Sequence, residues 1–434
     1  MSFISLIELS VLSVISLSTS CHFYVSYHRL EAEFTASHHL TTNYQQNGGH
    51  CQPLLLEHPR DPSIGHFEFK NLRTIQSLVK ERNIDCEFHE QPSVRAIYSA
   101  FELAEAASHI AALRTFDKEL GSHVKITSDP NELKRLRIPT AIGATVTDAA
   151  ARMWPYKFVA RILEDLLTST KLSGTFGLHT FTPVTSIEPQ ASFTAEEDKY
   201  LVHTDRGMIR ARSVVLATNG YTSHLAPWMA DNIVPCKAQM SALTAPPAVS
   251  GANRLNTSYG FMSTNFDDYL IQRPSDRGEQ LMFGGGRQFG DNLGNVDDST
   301  INEETKAYLQ RELVTRMKIP NMNELKVENM WTGIQGWSRD NHPWVGAVPG
   351  KSGLFMAAGY TGHGMPNTWL AGKSVAVIIE HAAAAESDED CTQAAIDKVG
   401  LPASYAITED RLAQAKEMVS QGATLSDPTT DRSL

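Results

Sequence analysis

Several things are scarce in this chain of 434 residues. There are only five cysteines, Cys21, Cys51, Cys86, Cys236 and Cys391, odd in number, dispersed and never spaced as CxxC. That excludes a disulfide framework and a cysteine zinc site, predicts no metal, and fits a reducing compartment. Basic charge is also short, since 38 Lys and Arg against 49 Asp and Glu leave a net charge of −11. No basic field is available to track a phosphate backbone, so nucleic acid is not an expected partner. A GxGxxG turn between a strand and a helix is missing altogether. The triplet Gly284-Gly285-Gly286 has Phe289 where a third glycine belongs, and no helical pattern follows it.

Long clean apolar runs are missing too. The nearest is Phe3 to Ser18, FISLIELSVLSVISLS, serine-rich, with one charge at Glu8 and no Lys or Arg before Arg29. A secretory signal needs a basic leading region, and a spanning helix needs about 18 apolar residues. A signal or anchor, a buried strand or helix, and sequence foreign to the fold all stay open here. The expectation for the rest is a cytoplasmic protein with no membrane association.

What is present is the composition of a folded chain. With 41% hydrophobic and 20% charged residues, 28 Gly and 20 Pro, disordered, collagen-like and mini-protein classes are excluded, and the length allows two or three domains. Helical and strand patterns alternate as in α/β proteins. Pro155 to Leu167 predicts a helix with Phe158, Val159, Ile162, Leu163 and Leu166 on one face. Leu178 to Ile187 and Lys199 to Thr204 predict strands, and Met208 to Thr218 a run ending in the apolar block Val214 to Ala217, read as a buried parallel strand. From Val234 to Pro246, and around Tyr269 to Arg273 and Gln280 to Gly284, short strands between Pro, Gly and Asn clusters suggest a mainly antiparallel sheet, with an amphipathic helix at Ile301 to Met317. A strand Leu354 to Gly359, a turn Thr361 to Asn367 and a helix Thr368 to Ala384 follow. Beyond Glu386 the chain reads as a polar, acidic tail with an optional helix near Asp410 to Gln421.

Glycine turns before helices are where this fold class holds anions and cofactors, because the helix start offers unpaired N–H groups and partial positive charge. Gly362-His363-Gly364-Met365-Pro366-Asn367 has the strand before and the helix after, although it ends in Asn; a helix cap without a ligand is the plainer reading. Asn47-Gly48-Gly49-His50 and Ala217-Thr218-Asn219-Gly220 read alone as turns. Trp331 to Trp344 holds three of the six tryptophans, either an aromatic wall or the lining of a flat-ring site.

In the order NGGHCQP, PYKFV, TPVTSIEP, SVVLATNGYT, WTGIQGWSRDNHPWVGAVPG and GLFMAAGYTGHGMP, the chain resembles the FAD-dependent oxidoreductases of the D-amino acid oxidase, glycine oxidase and sarcosine oxidase superfamily, over roughly Leu30 to Ala382. The motifs are specific to the family and not to a substrate. The resemblance implies a Rossmann-like FAD-binding domain with a mainly antiparallel substrate domain, and a small-molecule amine or amino acid whose C–N bond is oxidised to an imine, oxygen reoxidising the flavin. It implies Asn47, Gly48, Gly49 and His50 beside the pyrophosphate and ring, and Val184 near the adenine. Ala217, Thr218 and Gly220 would lie beside the ADP, and Gly359, Thr361, Gly362, His363, Gly364 and Met365 would bring N–H groups to the pyrimidine edge. Arg287, Arg339, Arg273 and Tyr269 are candidates to hold a carboxylate, with surface or structural roles as the alternative. His50 and His363 are candidates for hydrogen bonds near the ring, and Cys51 or His50 for covalent attachment.

The departure from the family is at the beginning. Its first strand, GxGxxG turn and helix, which cradle the FAD pyrophosphate, are missing, and Glu31 after Leu30 is the candidate ribose ligand. Two functions follow: an FAD-dependent amine or amino-acid oxidoreductase, or a flavin-free, non-catalytic relative acting as a binding protein. The expected organisation is an atypical segment 1–20, a flavin domain over 21–60, 150–233 and 341–385, a substrate domain over 61–149 and 234–340, and a tail over 386–434. Oligomeric state has no signature in the sequence.

Overall fold

A computed structural model describes residues 14–17, 22–26, 48–169, 175–190, 198–263, 266–382 and 388–420. The chain divides into two compact units. The described residues of Met1–Gln45, Phe158–Cys236 and Ile334–Thr424 form one, and those of Gln46–Lys157 and Lys237–Gly333 the other. The architecture is α/β, as the alternating patterns predict.

In the first unit a six-stranded mixed sheet has the order Trp344–Ala347, Leu354–Ala358, Ser213–Leu216, Val14–Leu17, His22–Ser26, Thr175–His179. At its centre Val214, Val215 and Leu216 lie parallel to Leu354, Phe355 and Met356, all buried. These strands are apolar on both faces because helices and a second sheet cover them. The helix Thr368–His381 buries Trp369, Leu370, Val375, Val377 and Ile378. Pro155–Thr168 forms the predicted helix, with Phe158, Val159, Ile162, Leu163 and Leu166 all buried and Phe158 edge-on to Trp369 at 5.9 Å.

Three expectations for this unit need correction. Met208 to Thr218 is not one strand: Gly207–Ala211 belongs to a three-stranded antiparallel sheet, and after Arg212 the chain enters the six-stranded sheet as Ser213–Leu216. The alternating half and the continuous apolar half of that run meet different neighbours. Leu178 to Ile187 likewise divides into Thr175–His179 and Val184–Pro189, in different sheets, with Phe181 at φ +50° between them. Third, the stretch beyond residue 386 is more than a polar tail where it is described: the helix allowed near Asp410 to Gln421 forms as Glu409–Ser420, Asp388–Val399 is a further helix, and Cys391, Ala395, Val399, Leu401, Tyr405 and Ile407 are buried.

In the second unit the sheet order is Val327–Ser338, Ile233–Leu243, Leu281–Gly284, Phe266–Gln272, Ser258–Ser263, His89–Ile97, Gly143–Arg152, His50–Cys51, with Val124–Thr127 also paired to Gly143–Arg152. One face carries the core, in which Tyr259, Phe261, Leu270, Leu281 and Phe283 pack with Leu309, Leu313 and Met317 of the helix Glu303–Met317. Asn302 caps that helix through a 2.8 Å bond from the Thr305 N–H, and Lys318 ends it at φ +50°. Asp268 and Arg316 form a buried 2.8 Å ion pair inside this core. Gly48 to Cys51, expected with the flavin-domain segments, is instead part of this unit, because His50 and Cys51 pair with Arg152 and Ala151. Among the described residues no helix is long and apolar enough to cross a membrane.

Candidate active site

The chemistry-bearing residues fall into two clusters, one in each unit. In the first unit the strand Leu354–Ala358 ends at Gly359, φ +79°, and enters the turn that precedes the helix Thr368–His381. Asn219 reaches across from the end of Ser213–Leu216, and its Oδ1 accepts from the N–H groups of Gly359 and Tyr360 at 3.1 and 3.3 Å. The Thr361 N–H donates to the Gly336 carbonyl at 2.8 Å, and the His363 N–H to the Tyr360 carbonyl at 2.7 Å. So Gly359, Thr361 and His363, predicted to offer N–H groups to a ligand, use them within the protein. The N–H groups of Gly362 and Gly364 have no protein acceptor among the described residues. Gly362 is exposed at φ +74°, a course few side chains tolerate, and a Cβ there would lie 3.2 Å from Gln335 Oε1. Two free amides beside a helix start suit a carbonyl or an anion.

The neighbouring strand end is packed against protein. A Cβ on Gly220 would come within 2.8 Å of the Gln335 carbonyl, so its closeness serves the strand Val327–Ser338. The hydroxyls of Thr218 and Thr222 share a 2.9 Å hydrogen bond, and Ala217 leads into them. Val184 opens the strand Val184–Pro189, paired to Thr204 and half-buried against the core of this unit. Met365 is half-buried in the turn. Arg339 is tied down, its Nε donating to the Asp231 carbonyl at 2.6 Å and its N–H to the Asn232 carbonyl at 3.0 Å.

In the second unit, Met240, Gly284, Tyr269, Gly260 and Arg95 form one register row, on the face opposite the core. The absence of a side chain at Gly284 lets the Tyr269 ring lie over it: a Cβ there would sit 2.6 Å from Tyr269 Cζ. Gly48 abuts the same ring, where a Cβ would be 2.5 Å from Cε2. Gly49, φ +76°, approaches Met153, whose N–H donates to the Gly49 carbonyl at 3.0 Å. His50 stands edge-on to Tyr269 at 5.4 Å, with Nε2 buried and without a hydrogen-bond partner among the described residues. Burial lowers its pKa to about 4 against a weaker upward pull from Gln52, so the imidazole is neutral at pH 7. Burial raises the Tyr269 hydroxyl, with Asp268 adding to it. Cys51 is fully buried and its thiol is pushed up to about 12, which makes it a poor nucleophile for flavin attachment.

The arginines of this unit are engaged by carboxylates. Arg287 pairs with Asp267. Arg273 forks onto Glu87 at 2.7 and 3.2 Å and lies 4.7 Å from the Trp154 ring. Each guanidinium therefore already has an anionic partner. Glu31 and Asn47 lie outside the described residues. Composition and spacing did not single out Tyr405 or Arg411, whose partners Asn367 and Asp340 are remote in sequence.

The fit to FAD differs along the molecule. The Gly362 and Gly364 amides suit the polar edge of a flat ring. Nothing described suits the pyrophosphate. Val14–Leu17 and His22–Ser26 are antiparallel neighbours joined by the four residues 18–21. A parallel crossover carrying a phosphate-binding helix start needs a dozen or more. Val14–Leu17 also runs antiparallel to Ser213–Leu216.

Comparison with known proteins shows likeness in sequence and in fold. Over 183 residues the chain is 24% identical to gamma-glutamylputrescine oxidoreductase of Escherichia coli (strain K12), covering 41% of this chain and 39% of the relative's length. The glycine oxidase structure from Geobacillus kaustophilus matches with a TM-score of 0.65 at 16% identity, over 94% of this chain and 95% of that one. Iminodiacetate oxidase from Chelativorans sp. BNC1 matches with a TM-score of 0.62 at 15% identity, over 87% and 92%. These two structures establish the shared fold. The profile described as DAO, FAD dependent oxidoreductase, matches residues 35–377, most of the chain, and the protein belongs to that family of flavin-dependent oxidoreductases.

Proposed function

We propose that this protein oxidises the C–N bond of a small amine or amino acid to an imine, with oxygen reoxidising the flavin to yield hydrogen peroxide. The observation that carries the reading is the pair of free N–H groups at Gly362 and Gly364, set before a 14-residue helix in a member of an FAD-dependent family. FAD, when bound, supplies the acceptor for the hydride equivalent leaving the carbon beside nitrogen.

The chain's own groups would position and polarise. The Gly362 and Gly364 amides would meet the carbonyl edge of the ring, and the helix start behind them favours negative charge there. In the other unit His50 is neutral at pH 7 with Nε2 unmatched among the described residues, and the Tyr269 hydroxyl stays protonated, so neither adds charge to its surroundings. The proteins it is similar to are named for small amines: gamma-glutamylputrescine, glycine and iminodiacetate. With Arg273, Arg287 and Arg339 each engaged, the substrate class is small amines generally, with or without a carboxylate.

The short antiparallel hairpin of Val14–Leu17 and His22–Ser26 favours a second reading, a flavin-free binding protein. One titration separates the two. The purified chain should show the visible flavin bands, or acquire them with added FAD, and should bleach without oxygen when glycine, iminodiacetate or an N-alkylated diamine is supplied. A colourless chain whose melting temperature ignores FAD would overturn the first reading.

A further inference from the structure

The stretch beyond residue 386 carries two side chains that reach back to the glycine turn. Arg411 donates from Nε and Nη2 to Asp340 at 2.6 and 3.0 Å, and from Nη1 to the carbonyls of Pro343, Tyr405 and Ala406, each at 3.1 Å. Its guanidinium lies 3.7 Å over the Trp344 ring. Burial would raise the Asp340 carboxyl, but Arg411, with Ser338 and His342, outweighs it and keeps the group below its ordinary value, hence charged. Ser338 Oγ donates to Asp340 at 2.7 Å and accepts from Trp344 Nε1 at 2.8 Å, and the Ser338 N–H donates to Thr361 Oγ1 at 3.0 Å. One chain of contacts thus runs from Arg411 to Thr361.

A second chain starts at Tyr405, whose hydroxyl donates to Asn367 Oδ1 at 3.1 Å. The Asn367 side chain in turn donates to the His363 carbonyl at 3.0 Å. Tyr405 and Asn367 are 3% and 2% exposed, so the bond between them is shielded from water. Asn367 occupies the N-cap position of the helix Thr368–His381 and makes no side-chain capping bond there. Asparagine at that position ordinarily turns its oxygen onto the helix N–H groups; here Tyr405 holds that oxygen away. Thr361 at φ +50° and Gly362 at φ +74° are consecutive left-handed residues, and for threonine that course needs support from its surroundings. The residues on either side of Gly362 are the two that the arm reaches.

We propose that Tyr405 and Arg411 are positioning residues for the flavin-binding turn, fixing Thr361 to Gly364 so that the Gly362 and Gly364 N–H groups face the ligand and keeping Asn367 from closing the helix start. This rests on the reading that the turn meets FAD. The test compares the full chain with Tyr405→Phe, Arg411→Lys and a surface control, Lys416→Gln. Two readouts are used: hydrogen exchange of the peptide 359–368 without FAD, and FAD titration followed by flavin fluorescence and visible spectrum.

Tyr405→Phe should raise exchange in that peptide about tenfold and weaken FAD about tenfold, with a shifted visible band for the flavin still bound. Arg411→Lys keeps the charge, loses the fork, and should do the same to a smaller degree; Lys416→Gln should match wild type. Exchange within twofold of wild type in both variants overturns the proposal. So does faster exchange with unchanged FAD affinity and spectrum, which would leave the arm a structural role alone. If the wild-type chain binds no FAD, the functional reading fails, and the exchange result still decides whether the arm holds the turn.

Discussion

Asn219 and Gly359 join the ends of two parallel strands through a 3.1 Å bond from a backbone N–H to a side-chain oxygen. The same oxygen takes the Tyr360 N–H, so one amide side chain satisfies two donors at the root of the turn. Asn219 itself sits at φ +41°, which asparagine tolerates better than most residues. Asn219→Ala removes the acceptor and keeps the backbone strain, and should cost about 1–3 kcal/mol. Asn219→Asp should retain most of the stability. Urea unfolding of the two variants checks the ranking, and equal midpoints would mean the bond has no weight.

Gly362 and Gly220 should fail in different ways. At Gly362 a new side chain meets only the end of Gln335, and the left-handed course costs about 1–3 kcal/mol, so Gly362→Val should fold yet lose flavin. At Gly220 the obstruction is the Gln335 carbonyl itself, and Gly220→Val should fold poorly or not at all. Soluble yield and bound flavin per chain, measured together, separate the two. Full flavin content in Gly362→Val would remove the turn from the binding site.

How much of this could be read beforehand depends on how far away the partners lie. Val214 to Leu216 and Leu354 to Ala358 were legible as buried strands, because burial on both faces leaves a continuous apolar run. Phe158 to Leu166 were legible as a helix face from spacing alone. The change of sheet at Arg212 was not, since which strand pairs with Met208 and which with Val214 is set by partners elsewhere: His203 and Leu354. The helix around Arg411 was legible near Asp410 to Gln421, but its anchoring was not, because Arg411 meets Asp340, 71 residues earlier, and Tyr405 meets Asn367. The glycine turn was legible as a turn between strand and helix, but not which amides remain available, because Asn219 and Gly336 claim theirs through tertiary contacts.

His50 should give stability a pH dependence. Its pKa is near 4 folded and 6.5 ordinarily, so between those values the unfolded chain binds the proton and the folded chain does not. The contribution is therefore complete above pH 6.5, is lost as the pH falls toward 4, and changes no further below. Its size is at most about 3 kcal/mol. His50→Gln should flatten this part of the stability curve; an identical slope in wild type and variant would assign it elsewhere.

Arg273 and Glu87 offer a test of charge burial. Glu87 is only 4% exposed as a side chain and holds both arms of the guanidinium. Arg273→Met would leave that carboxylate without its cation, at a cost of about 3–5 kcal/mol. The double variant with Glu87→Gln should recover part of the loss. Calorimetric melting of the four-member cycle measures the coupling, and additive losses would show that the pair is not coupled.

The buried links from Arg411 and Tyr405 to Thr361 and His363 also set an order of events during synthesis. A ribosome makes residues 359–367 well before residues 405–411, and each chain of contacts ends on one of the later residues. The turn therefore emerges before its supports, and is completed only once residues 405–411 have left the exit tunnel. A fusion partner joined directly after Arg411 would bear on cofactor loading, whereas one placed before Val14 would leave these links alone.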